Sequence, residues 1–222
     1  SIKTPDGWTI RLYRYLPRGE EASREPILLV HGANSNQFNL AMPEGESLVD
    51  HLSKNGFDCW CIELRGCRSS RAPKGTNRYT ARVDDFVQHD LPAAIAFILE
   101  KTGQKKLHCV GYSMGGMILY AHVLINGKEN LASLTTIGSP PGFESEPGLQ
   151  KLAPVVRLAK FLPWPVETVW RMLAPFYVSF KLNLPFAPAY WPNMHKNAGP
   201  DVFYNAAVAD ELFETTGASC VL

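Results

Sequence analysis

The chain is 222 residues long, 45% apolar and 19% charged, which makes it a globular protein with a sizeable core and excludes a disordered one. Its 22 Lys and Arg against 21 Asp and Glu leave a net charge of +1, so no electrostatic case exists for a nucleic-acid partner or an anionic membrane surface. No apolar run is long enough to span a bilayer, and a chain starting at Ser1 rather than Met is expected to be a trimmed one.

Thr4-Pro5-Asp6-Gly7 is turn chemistry, and residues 8–15 follow with strand-like side chains. Ile27–Val30 is a continuous apolar run, as a parallel strand buried on both faces requires. It ends in a small, polar loop, residues 31–36. Leu48–Lys54 is predicted to be a helix closed by Asn55-Gly56, and residues 57–64 the next buried strand. In the loop that follows, Arg65, Arg68 and Arg71 are expected to be solvated charge. Residues 83–101 carry helical spacing through Phe86, Leu91, Ile95, Ile98 and Leu99, with Pro92 expected to kink or restart the helix. Residues 106–110 form a short strand, residues 117–124 an apolar helix ended by Asn126-Gly127, and Leu131–Ile137 a further strand. Strands alternating with helices this regularly predict an α/β class with a doubly wound, mostly parallel sheet.

The stretch that carries chemistry is Gly111-Tyr112-Ser113-Met114-Gly115, followed by Gly116. It lies between a predicted strand and a predicted helix, the context of a nucleophile elbow. The glycines have a steric reason. A serine on a sharp, strained turn leaves no room for a Cβ on either flank. Ser113 is therefore the candidate nucleophile, with Gly111 and Gly115 as the elbow glycines. The Met114 N–H, at a helix N-terminus, is a candidate donor to a developing oxyanion.

From residue 143 the character changes. Nine prolines, from Pro147 to Pro200, separate short apolar clusters rich in Trp, Tyr and Phe. We expect two parts: residues 1–142 as the core and residues 143–222 as a helical cap or lid. The five cysteines are odd in number and show no metal-ligand spacing with histidine, so free thiols in a reducing compartment are expected, with no metal and no cofactor.

Several segments jointly resemble the acid lipase branch, of gastric and lysosomal type, of the α/β-hydrolase superfamily. They are Thr4-Pro5-Asp6-Gly7-Trp8, His31-Gly32, Asn55-Gly56-Phe57-Asp58-Cys59-Trp60, Leu64-Arg65-Gly66, and residues 90–105 running into the elbow. The likeness covers roughly the first two-thirds of the chain. The elbow departs from that branch, with Tyr112 and Met114 where it usually has His and Gln, and so does the Pro/Trp-rich segment. The resemblance implies a serine ester hydrolase acting through an acyl-enzyme on an apolar, lipid-like acyl ester. It also implies that the backbone N–H of Ala33 is the second oxyanion donor, with Asn34 the alternative, and that His31 is structural.

In this fold the triad acid and His follow the serine, each after a later strand. After Ser113 the histidines are His122, inside the helix following the elbow, and His195, in a cap-like loop that no apolar strand precedes. Asp201, Asp210, Glu211 and Glu214 have the same difficulty. We therefore expect this sequence to be the front part of a hydrolase. The acid and His would lie beyond Leu222, and the sheet edge after Leu131–Ile137 would be open to self-association. The alternative is a non-catalytic hydrolase-fold protein that binds an apolar ligand or a partner.

Overall fold

The computed structural model describes residues 1–18, 25–33, 35–41, 47–67, 69–76 and 81–139. The expected cap, with His195 and the later acids, lies outside the described residues, as do Asn34, Arg68 and Cys220. Among the described residues, strands β1 (Ile2–Lys3), β2 (Thr9–Tyr15), β3 (Ile27–Val30), β4 (Cys59–Glu63), β5 (Leu107–Tyr112) and β6 (Leu131–Ile137) form one sheet in the order β1-β2-β4-β3-β5-β6. The four strands from β4 to β6 run parallel. β1 and β2 are joined antiparallel to each other, and β2 antiparallel to β4. The sheet is thus mixed and mostly parallel. The stretches predicted for β3, for helix α1 (Leu48–Lys54) and for β6 carry the bounds expected of them.

β3 explains why its run is apolar without interruption. Leu28 and Val30 face a core shared with α2 (Leu91–Thr102) and α3 (Met114–Asn126), whereas Ile27 and Leu29 face α1 through Val49, Cys59 and Cys61. A strand covered by helices on both faces has no solvent side to keep polar. All four of its residues are buried.

The predicted helix over 83–101 is interrupted. A helical turn, Val83–Asp85, leads into a π turn, Phe86–Asp90, and α2 starts at Leu91 with Pro92 in its first turn. Pro92 has no N–H to offer the preceding turn, so the bonding pattern changes just before it. The same turn buries Asp90, and here one expectation is corrected. Arg65 is not solvated charge but 1% exposed. Its backbone N–H, Nε and Nη2 donate to Asp90 at 2.8, 2.9 and 2.8 Å. Nη1 and Nη2 reach Asp6 at 2.5 and 3.0 Å, and the guanidinium lies 5.3 Å from the centre of the Trp8 ring. Burial pushes the Asp90 carboxyl up, to about 6, against the opposing pull of Arg65. Arg71 is exposed, as expected.

Candidate active site

The parallel strands deliver their C-terminal ends to one edge, where sites in open α/β sheets are built. β3 runs into His31-Gly32, β5 into Ser113, and β6 into Gly138-Ser139. Ser113 has φ 52° and ψ −119°, and it is the single non-glycine residue with positive φ among the described residues. An L-residue in that region costs of order 1–3 kcal/mol and persists only where its surroundings enforce it. The enforcement is visible on both sides. The Ser113 N–H donates to the Ile137 carbonyl at 2.9 Å, tying the turn to β6. The Ser113 carbonyl accepts from the N–H groups of Gly116 at 3.0 Å and Met117 at 3.3 Å, starting α3. The first N–H groups of a helix have no acceptor within it, so those of Met114 and Gly115 carry the positive end of the helix beside the serine.

The glycines are where sterics demand them. A Cβ on Gly111 would lie 2.5 Å from both Cα and N of Gly116. One on Gly115 would lie 2.7 Å from the His31 carbonyl oxygen and 2.8 Å from the Val30 carbonyl carbon, closer than real Cβ atoms approach backbone. Gly116 faces Ser139 and Thr136 in the same way. The helix can approach the ends of β3, β5 and β6 because its first turn lacks side chains there. Sequence reasoning singled out Gly111 and Gly115. It did not assign the partners of Gly116, and it named Gly32 only within the His31-Gly32 likeness, without the close approach by which a Cβ there would sit 3.2 Å from the Ser113 Cβ and 3.1 Å from the Tyr112 ring.

Thus Gly32, at the end of β3, abuts Tyr112 and Ser113, with Gly32 buried and Ala33 exposed. The Gly32 N–H donates to Asn39 Oδ1 at 3.2 Å. His31 is fully buried beneath this loop, and burial pushes its pKa down to about 4. Its Nδ1 lies 2.8 Å from the Gly32 carbonyl oxygen, and its Nε2 lies 3.5 Å from both Leu64 N and Cys67 Sγ. Two other described histidines have partners away from the serine. His122 Nδ1 meets Asn126 at 3.2 Å, and burial lowers its pKa. His108 Nδ1 meets Ser133 at 2.8 Å, on the face of β5 and β6.

The described cysteines, Cys59, Cys61, Cys67 and Cys109, are free and buried. Burial pushes the Cys59 and Cys109 thiols up to about 12, so neither is a thiolate at neutral pH. Asp6, Asp85 and His89 bring ligand atoms within 4.8 Å of one another, a grouping that no local sequence pattern announced. Arg65, 2.5 Å from Asp6 and 3.8 Å from Asp85, already supplies positive charge to that cluster.

This strand, elbow and helix define a class of protein. The profile of the alpha/beta hydrolase fold matches residues 25–163, and the chain belongs to that family. Its relatives by sequence include human lipase member K, 34% identical over 131 residues, which are 54% of this chain and 32% of that protein. Rat gastric triacylglycerol lipase is 34% identical over 128 residues, 53% of this chain and 32% of that protein. The chain spans about a third of the length of these relatives. Among solved structures, an esterase from Exiguobacterium antarcticum superposes with a TM-score of 0.61 at 18% identity, covering 97% of this chain and 72% of that one, a likeness of fold.

Proposed function

We propose that the protein is a serine ester hydrolase of lipase or esterase type, with Ser113 as nucleophile. Ser113 Oγ attacks the ester carbonyl, and the negative charge that develops on the carbonyl oxygen is met by the N–H groups of Met114 and Ala33. Collapse of the tetrahedral intermediate expels the alcohol and leaves an acyl group on Ser113, which water then removes. In this fold the proton acceptor is a His that follows the nucleophile and the triad acid in chain order, and here it is proposed to come from outside the described residues. An apolar acyl ester is the proposed substrate class. Its support is the naming of the sequence relatives as lipases, one of them a triacylglycerol lipase.

The observation that carries the proposal is the strained Ser113, held between β5 and the N-terminus of α3 with Gly32 against its Cβ. A serine that merely capped a helix would have no need of positive φ. The test is turnover of p-nitrophenyl esters of increasing acyl length by the natural full-length protein and its Ser113→Ala variant. Turnover that falls by several orders of magnitude in the variant is expected. Unchanged turnover in the variant overturns the assignment of Ser113. A folded wild type that binds apolar esters without cleaving any of them places the protein among non-catalytic hydrolase folds.

A further inference from the structure

We propose that His31, backed by Cys67 and the Leu64 N–H, is a positioning residue: it fixes the Gly32–Ala33 peptide so that the Ala33 N–H faces Ser113. The inference rests on the ester-hydrolase function proposed above, in which Ala33 is an oxyanion donor.

The partners of the ring settle where its proton lies. Nδ1 is 2.8 Å from the Gly32 carbonyl oxygen, which can only accept, so Nδ1 carries the hydrogen. Nε2 is 3.5 Å from Leu64 N, whose N–H can only donate, so Nε2 is the acceptor. The Cys67 thiol, 3.5 Å from the same Nε2, fits as a second donor. Both ends of the ring therefore demand one neutral tautomer. With its pKa pushed down to about 4 by full burial, the ring keeps that form across the neutral range.

That tautomer has a consequence on the other side of the peptide. The Gly32 carbonyl and the Ala33 N–H belong to one planar trans unit and point in opposite directions. The ring turns the carbonyl inward, toward the buried side. The N–H is then turned outward, where Ala33 is exposed and where Gly32 abuts Ser113. The preceding peptide is held as well, because the Gly32 N–H donates to Asn39 Oδ1 at 3.2 Å. Cys67 lies beneath two points of the loop, since its Sγ is also 3.8 Å from the Ser35 carbonyl. Gly32 lacks a Cβ and rotates readily, so an oxyanion donor that follows it needs external fixing.

The test uses the natural full-length protein and a soluble ester. His31→Leu is expected to lower kcat by about 10²-fold, as removal of one oxyanion donor does, with KM nearly unchanged. His31→Asn can place an amide donor near the Nδ1 position, and it should recover at least about tenfold of that loss. Cys67→Ala, which removes the thiol beside Nε2, is expected to lower kcat several-fold. ¹⁵N shifts of the wild-type imidazole should show the proton on Nδ1, a readout that holds even if His31→Leu fails to fold. The inference is overturned by an Nε2–H tautomer, by a folded His31→Leu with undiminished kcat, or by His31→Asn faring no better than His31→Leu. If those results appear while Ser113→Ala is inactive, this inference alone falls. If Ser113→Ala retains full turnover, the proposed function falls and takes this inference with it.

Discussion

Gly115→Ala separates the geometry of the elbow from stability at large. The added Cβ would lie 2.7 Å from the His31 carbonyl oxygen, with the Val30 carbonyl nearer still, and both are backbone at the end of β3. Non-bonded heavy atoms settle at about 3.5 Å, and the Val30 carbonyl is the nearest of these contacts, so α3 has to withdraw by roughly 1 Å at its first turn. Such overpacking costs about 1–3 kcal/mol. The same movement carries Ser113 and the Met114 N–H off their positions, and a misplacement near 1 Å costs about 10²-fold in rate. Gly103→Ala is the matched control. Gly103 closes α2 at φ +67°, and nothing lies within 4 Å of its added Cβ, so only backbone strain of about 1–2 kcal/mol is incurred. Urea unfolding and ester turnover, measured side by side, should show both variants destabilised to a similar degree and only Gly115→Ala losing about 10²-fold in kcat. A folded Gly115→Ala with wild-type kcat, or a Gly103→Ala that loses as much, refutes the reasoning.

Three further outcomes follow from other parts of the molecule. Ser113→Gly should be inactive in ester turnover yet more stable to urea than Ser113→Ala by about 1 kcal/mol, because glycine accepts φ 52° without strain. His31 is held at about 4, below the usual 6.5 of an unfolded histidine, so the unfolded chain binds the extra proton between those values and stability falls as pH drops through that window. The loss approaches about 3 kcal/mol and should largely vanish in His31→Asn; Asp90, with its pKa raised, works in the opposite direction and is common to both proteins, so their difference in urea midpoint against pH isolates His31. Arg65→Met leaves Asp90 buried without its partner and should cost about 3–5 kcal/mol in urea unfolding, while Arg65→Met with Asp90→Leu should cost clearly less; equal losses in the two would show that the pair is not coupled.

What could be read from the residues themselves was mostly local. Ile27–Val30 announces a strand buried on both faces because every side chain in it is apolar, and Leu48–Lys54 announces a helix because Asn55-Gly56 closes it, with the Asn55 N–H on the His51 carbonyl at 3.2 Å. The elbow was legible for the same reason: its glycines, serine and flanking runs are contiguous, and they imply the positive φ of Ser113. Interactions that join distant segments were not legible. Arg65 reads as surface charge because its partners Asp6 and Asp90 lie 59 and 25 positions away in the chain. The approach of Gly32 to Ser113 and the anchoring of the Gly32 N–H by Asn39 depend on how β3 and β5 pair, and no spacing in the sequence encodes that. The π turn before Pro92 was only half visible, as a proline expected to disturb a helix without the form of the disturbance.

The most direct test of Ser113 as an acylated nucleophile is a covalent one. The natural full-length protein is treated with a fluorophosphonate, digested with trypsin and analysed by mass spectrometry. Cleavage after Lys106 and Lys128 yields residues 107–128, in which Ser113 is the sole serine. A single adduct on that peptide, placed on Ser113 by fragmentation and absent from Ser113→Ala, is the expected result. An adduct on another residue, or labelling that persists in Ser113→Ala, contradicts it.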